Sequence, residues 1–181
     1  ANGRIGQGLV CLGDLNGDGT YDLVASSSVL QTFWILLLRS DGELWEGYEA
    51  TNSNRRVPSL PASSECGFYL GSAGDVNHDG FTDMLVGCPV TGPGSPGLVY
   101  VFFMGLRGLV AGHVVHSSAD AAMSGVFTNA DDFGYASSGL GDVNGDGNPD
   151  YAALASSHST VAVVFCTAAG DVMFATGASA A

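Results

Sequence analysis

The sequence predicts an all-β fold of the β-propeller kind, with three four-stranded blades visible and belonging to a larger propeller or assembly. Three observations carry this. An acidic ten-residue stretch occurs three times, as GDLNGDGTYD at 13 to 22, GDVNHDGFTD at 74 to 83 and GDVNGDGNPD at 141 to 150, so its leading aspartates stand 61 and then 67 residues apart. Such a fixed spacing marks a repeat architecture. Short apolar segments of strand length recur around each copy, divided by Gly-rich turns, and no segment has a long helical period. Four short strands per repeat describe a propeller blade.

Blade one is read over residues 1 to 50. GLVCL leads into the first acidic stretch, LVASS (23 to 27) leaves it, FWILLL (33 to 38) makes a third strand and ELWEGYE (43 to 49) a weaker fourth. TNSNRRVPSLPASSE is the connection to blade two, 66 to 118, whose later strands are MLVGCP (84 to 89), LVYVFF (98 to 103) and GHVVHS (112 to 117). ADAAMSGVFTNA connects to blade three, 131 to 178, with ALASS (153 to 157), VAVVF (161 to 165) and DVMFA (171 to 175). Runs such as FWILLL and VAVVF are apolar at consecutive positions, as in strands covered on both faces. A propeller closes with at least four blades. Three blades therefore leave two outer faces to be covered by protein partners, by more of a longer chain or by further copies of this one.

The acidic stretches are read as calcium loops. Neighbouring carboxylates repel, and a cation between them removes the cost. Oxygen side chains stand at places one, three, five and nine of each copy: Asp14, Asn16, Asp18 and Asp22; Asp75, Asn77, Asp79 and Asp83; Asp142, Asn144, Asp146 and Asp150. Hard oxygens suit calcium rather than zinc or copper. Place six is glycine (Gly19, Gly80, Gly147), which permits a sharp turn, and place seven (Thr20, Phe81, Asn148) varies, as expected of a residue that offers only its backbone carbonyl. An EF-hand begins the same way but needs Glu at place twelve, where Ala25, Val86 and Ala153 stand, and helices rather than strands beside it. The carboxylate at place nine is the expected closing ligand. The alternative is a set of Asx-rich hairpin turns that hold no ion.

Composition agrees with calcium. The formal charge is −13, lysine is absent, and nine of the 18 acidic residues are the loop aspartates. Three calcium ions would bring −13 to about −7. No basic footprint exists for nucleic acid or an anionic membrane. FWILLL, the longest apolar run, is too short to cross a bilayer, so direct membrane insertion is not expected. No signal peptide is visible, and a chain that starts at Ala1 is expected to be processed or a piece of something longer. Cys11, Cys66, Cys88 and Cys166 allow three full pairings, none with zinc or redox spacing. Cys66 begins the first strand of blade two and Cys88 ends the second, so a Cys66–Cys88 bridge is the preferred pairing, against free buried thiols.

A glycine precedes each leading aspartate by eight residues (Gly6, Gly67, Gly134). Phe133-Gly134, the calcium loops, and Val86-Gly87-Cys88-Pro89 where Gly-Ala-Pro is expected resemble the FG-GAP repeats of the integrin α-subunit propeller. The resemblance covers nearly the whole chain. Ile5-Gly6 and Cys66-Gly67 depart from Phe-Gly, and blades one and three carry Ala-Ser-Ser in place of Gly-Ala-Pro. Membership implies a propeller of about seven blades, an extracellular or cell-surface location, an adhesion or scaffolding role, and calcium loops that stabilise blades.

No enzyme is expected. His78 lies in a calcium loop, His113 and His116 stand three apart on a strand and so face opposite sides, and His158 has no partner at a convincing spacing. No nucleophile elbow, HExxH or phosphate loop occurs. The reading is therefore a non-enzymatic, calcium-stabilised extracellular adhesion or scaffold module. One alternative is a structural subunit of an extracellular polymer or filament whose neighbouring copies complete the ring. Another is a carbohydrate-binding propeller that uses Trp34, Trp45 and Tyr48, although aromatics in strands are more often core. No N-x-S/T acceptor occurs, so N-glycosylation is not expected.

Overall fold

A computed structural model describes residues 4–61, 65–89, 96–127, 132–155 and 160–179. Among these residues twelve strands form three four-stranded antiparallel sheets, each a meander in chain order. The first sheet holds β1 (Gly8–Gly13), β2 (Asp22–Ser27), β3 (Thr32–Leu38) and β4 (Leu44–Ala50). The middle sheet holds β5 (Leu70–Gly74), β6 (Asp83–Cys88), β7 (Leu98–Gly105) and β8 (Leu109–Ser117). The third holds β9 (Phe133–Gly141), β10 (Asp150–Ala155), β11 (Thr160–Cys166) and β12 (Val172–Ser179). The described residues are all-β apart from short helical turns: α1 (Asn52–Arg55) in the first connection, and 3-10 turns at Leu106–Gly108 and Ala121–Met123. No helix among the described residues is long and apolar enough to cross a membrane.

Each acidic stretch joins the first two strands of its sheet, and its place-nine aspartate fixes the register of the third. Asp22, Asp83 and Asp150 accept the backbone N–H of Leu38, Met104 and Cys166 at 2.9, 2.9 and 3.0 Å. These three residues are therefore equivalent across the repeats. Counting back along alternate positions, Trp34, Leu36 and Leu38 correspond to Tyr100, Phe102 and Met104 and to Ala162, Val164 and Cys166. The opposite face carries Phe33, Ile35 and Leu37, then Val99, Val101 and Phe103, then Val161, Val163 and Phe165.

The core follows this alternation. Phe33, Ile35 and Leu37 of the first sheet pack with Tyr100, Phe102 and Met104 of the middle one, and Phe33 meets Phe102 edge-on at 5.7 Å. On its other face the middle sheet sets Val99 and Val101 against Tyr151, Ala162 and Val164 of the third. A strand with partners on both faces is apolar at consecutive positions, which accounts for LVYVFF. Burial of each large side chain here contributes about 1.5–3 kcal/mol.

Glycines of the repeat let backbones touch between sheets. A Cβ on Gly87 would lie 2.0 Å from the Gly134 carbonyl oxygen, and Gly134 itself has φ +86°. No side chain fits at either place. At the preceding junction Ser26 occupies the position of Gly87, and its hydroxyl donates to the carbonyl of Gly67. The departure from Gly-Ala-Pro in the first repeat thus exchanges a backbone contact for a buried hydrogen bond.

Cys66 and Cys88 form a disulfide, whereas Cys11 and Cys166 are free thiols, the first exposed and the second buried. Cys66 does not begin β5, which starts at Leu70. It lies in the preceding turn, held beside the end of β6 because Gly67 N–H donates to the Gly87 carbonyl and Gly87 N–H to the Tyr69 carbonyl, at 3.0 and 3.3 Å.

Candidate metal loops

The three loops take the same backbone path. Place four is left-handed in all three, with φ +83° at Gly17, +59° at His78 and +80° at Gly145. Place six is left-handed too, at Gly19, Gly80 and Gly147. A Cβ at Gly17, Gly19, Gly80, Gly145 or Gly147 would meet nothing within 4 Å, so conformation rather than space selects glycine there. His78 holds the strained conformation with a side chain, and its Nε2 lies 3.3 Å from Asn148 Oδ1 in the next loop.

The carboxylates turn inward onto backbone amides. Asp14 Oδ1 accepts from the N–H of Gly17 at 2.6 Å and of Asp18 at 3.1 Å, while Oδ2 accepts from Gly19 at 2.7 Å. Asp75 accepts from Asp79 and Gly80 at 2.9 Å each, and Asp142 from Gly145, Asp146 and Gly147 at 2.7–3.1 Å. The place-three amides lie over place five: Asn16, Asn77 and Asn144 donate from Nδ2 to Asp18, Asp79 and Asp146, each at 2.9 Å. The place-five Oδ1 then accepts from the N–H of Thr20, Phe81 and Asn148. These amides hold Asp14 below the ordinary carboxylate range, that of Gly19 first, and the Asn148 amide does the same for Asp146.

Place nine is different in kind. Asp22, Asp83 and Asp150 are fully buried. Besides the bond to the third strand, each accepts the N–H of the place-two residue, Leu15, Val76 or Val143, at 2.8–3.0 Å. Burial pushes Asp83 up to about 7, against the downward pull of the Met104 and Val76 amides. In sequence this residue reads only as a fourth oxygen. In the structure it also stitches loop, hairpin and third strand together.

Among the described residues no three His, Cys, Asp or Glu side chains converge in a metal-holding cluster. Backbone amides engage the carboxylates of places one, five and nine instead. The donor set nonetheless fits a hard cation in its chemistry: each loop carries three carboxylates and one amide oxygen along a path with two left-handed residues, with no nitrogen or sulfur ligand required.

The two histidines of β8 are held apart. His113 lies near Tyr100 and Phe102 towards the first sheet, whereas His116 stacks on Tyr151 of the third, so the two do face opposite ways. His116 is buried and satisfied: Nδ1 lies 2.6 Å from the Tyr151 hydroxyl and Nε2 2.8 Å from the Gly170 carbonyl. The Nε2–H donates to that carbonyl, and burial lowers the pKa of the ring, which favours its neutral form. His158 lies outside the described residues. Two of the three aromatics considered for sugar stacking are engaged by Arg107, which lies 5.9 Å over the Trp45 ring and accepts the Tyr48 hydroxyl bond at its carbonyl.

Comparison with known proteins gives these features a context. The model of the FG-GAP repeat matches residues 68–102, the span from β5 and its loop into β7. Integrin alpha-3 of Cricetulus griseus is 32% identical over 148 residues, 78% of this chain and 13% of that protein. Integrin alpha-PS5 of Drosophila melanogaster is 31% identical over 146 residues, 77% and 14% respectively. Integrin alpha-7 of Homo sapiens is 29% identical over 162 residues, 86% and 12%. The chain thus spans less than a sixth of the length of these relatives.

Proposed function

We propose, from the premise that this chain belongs to the FG-GAP repeat family, that it is a non-enzymatic, calcium-stabilised adhesion or scaffold module at the cell surface or outside the cell. Its three sheets are blades, over 1–50, 66–118 and 131–178, of a larger propeller of about seven blades. The observation that carries the reading is the three-fold recurrence of one oxygen-lined loop on one hairpin position. Calcium would be held by Asp14, Asn16, Asp18 and Asp22 with the Thr20 carbonyl, by Asp75, Asn77, Asp79 and Asp83 with that of Phe81, and by Asp142, Asn144, Asp146 and Asp150 with that of Asn148. Bound there, the ion supplies positive charge that offsets three crowded carboxylates per loop. Calorimetric titration with calcium tests this: three sites per chain are expected, and fewer than two would sink it.

A second reading has its own observation. The outer faces of the first and third sheets are apolar, with Leu9 60% and Val161 48% exposed. Further copies of the chain, packed blade against blade, would cover them and yield a structural subunit of a polymer. The mass of the chain in calcium-containing solution separates the two, since oligomers that grow with concentration favour the polymer. The sugar-binding alternative is weaker, because Trp45 and Tyr48 already serve Arg107.

A further inference from the structure

We infer that the loop of the first blade is a latch onto the second, so that metal in this loop sets how firmly the middle blade is gripped. The inference rests on the calcium reading of the loops and concerns a junction that reading leaves open.

The place-two residue, Leu15, carries the connection. Its N–H donates to Asp22 within its own loop at 2.8 Å. Its side chain is wholly buried in the core shared by the first and middle sheets. Its carbonyl accepts the backbone N–H of Arg107, which lies in the turn between β7 and β8 of the middle sheet. One residue of the candidate metal loop thus holds an intra-loop carboxylate, the inter-blade core and the neighbouring blade's backbone.

Arg107 is built to receive it. The residue is left-handed at φ +58°, a conformation that costs a side chain energy and persists only where surroundings hold it. Besides Leu15, its holders among the described residues lie on β4 of the first sheet: Tyr48 donates its hydroxyl to the Arg107 carbonyl, Glu46 pairs with the guanidinium, and the Trp45 ring lies beneath it. Gly108 then lies so close to Ile35 that an added Cβ would meet it at 2.8 Å. The next junction repeats the close glycine, Gly170 against Phe103, but the backbone bond there is the Gly170 carbonyl to the His116 side chain. Val143, the third loop's counterpart of Leu15, is 52% exposed.

Three carboxylates without a cation repel, and the loop that aims the Leu15 carbonyl loosens. The Arg107 N–H then loses its acceptor. Linkage makes the effect reciprocal: if calcium tightens the latch, the latch tightens calcium by the same factor.

Amide exchange and chemical shifts measured by NMR on the full chain test this, because the Gly19, Gly80 and Gly147 amides report the three loops separately. Calcium is expected to slow exchange of the Arg107 amide by about tenfold or more over chelator. Asp18→Ala should abolish that slowing while Gly80 and Gly147 still titrate. Arg107→Gly keeps the N–H, suits the left-handed backbone and deletes the guanidinium. It should weaken calcium at Gly19 and leave Gly80 unchanged, and Tyr48→Phe should act in the same direction. An Arg107 amide indifferent to calcium while Gly19 titrates overturns the latch alone. If none of the three glycines responds to calcium, the metal reading falls and the latch with it.

Discussion

The middle sheet and the two that flank it are made from nearly the same strand vocabulary, yet they end in different environments. Tyr100, Phe102 and Met104 are buried against the first sheet, whereas Trp34, Leu36 and Leu38, at the same register positions, are half-buried. On the opposite face Val99 and Val101 are buried, and their equivalents in the third sheet, Val161 and Val163, are exposed and half-buried. Place two of the loops repeats the contrast, since Leu15 and Val76 are enclosed and Val143 is open. The lesson is that strand sequence encodes two adhesive faces per sheet, while the neighbour decides which faces are used. Among the described residues only the middle sheet has both neighbours.

The sharpest way to break the comparison is to empty equivalent positions. Phe102→Ala removes a side chain wholly buried between the first and middle sheets and should destabilise by about 3–5 kcal/mol. Leu36→Ala, at the equivalent open position, should cost less than about 2 kcal/mol in this chain, because little is left to become a cavity. Urea denaturation of the two variants measures the difference, and equal losses would mean that the open face is covered in solution. The disulfide comes next. Cys66–Cys88 closes a loop of sequence separation 22 around the middle hairpin. Replacing both cysteines by serine should cost about 3 kcal/mol by loop-closure entropy, read as a fall in urea midpoint.

How much of this was legible in the sequence depends on how far apart the interacting residues are. Strand positions, loop places and the left-handed glycines were legible because each is a local, three-fold repeated pattern. The Cys66–Cys88 pairing was legible because one hairpin joins the two, although the turn before β5 displaced Cys66 from the strand. The bond from Asp22 to Leu38 was not, since place nine resembles a ligand and its strand partner is 16 residues away. Arg107 reads as one of five surface cations, and nothing local shows that its turn enters the first sheet 61 residues from Glu46. The one available signal was the apolar residue at place two of every copy, Leu15, Val76 and Val143, out of keeping with an exposed acidic loop. His116 likewise gave no sign of Tyr151, because only the docking of blades brings them together.

Chelation ranks third. With calcium removed at neutral pH, the melting temperature should fall clearly, because three carboxylates per loop then repel. An unchanged transition would mean that backbone amides suffice to hold the loops. Fourth is the junction between the middle and third sheets. Burial lowers the His116 pKa below its ordinary 6.5, with Asp120 and Asp171 pulling the other way. A folded pKa below the unfolded one gives stability that is present above the unfolded value, about 6.5, and is lost as pH falls from there through the folded value. Wild type should therefore lose more stability than His116→Gln between pH 7 and 5, read from urea midpoints at the two pH values. Measuring the difference between the two proteins cancels the opposite trend of Asp83, whose raised pKa favours the folded state at low pH.

The smallest effect on folding should come from Val163→Asp, and it separates a face that is merely exposed from one that has a partner. Val163 is half-buried on the outward side of β11, between Ala152 and Thr176. In the isolated chain a carboxylate there can reach water, so the change should cost no more than about 1 kcal/mol and leave calcium binding in the first two loops intact. Against a covering blade the same carboxylate would be buried without a partner, at a cost of several kcal/mol. Sedimentation of wild type and variant with calcium decides between these cases. Loss of oligomers in the variant, with an unchanged monomer melt, identifies the outer face of the third sheet as a joint. Identical sedimentation of two monomers would leave that joint to blades of a longer polypeptide, where Val163→Asp should destabilise the ring at the face it shares with the third sheet.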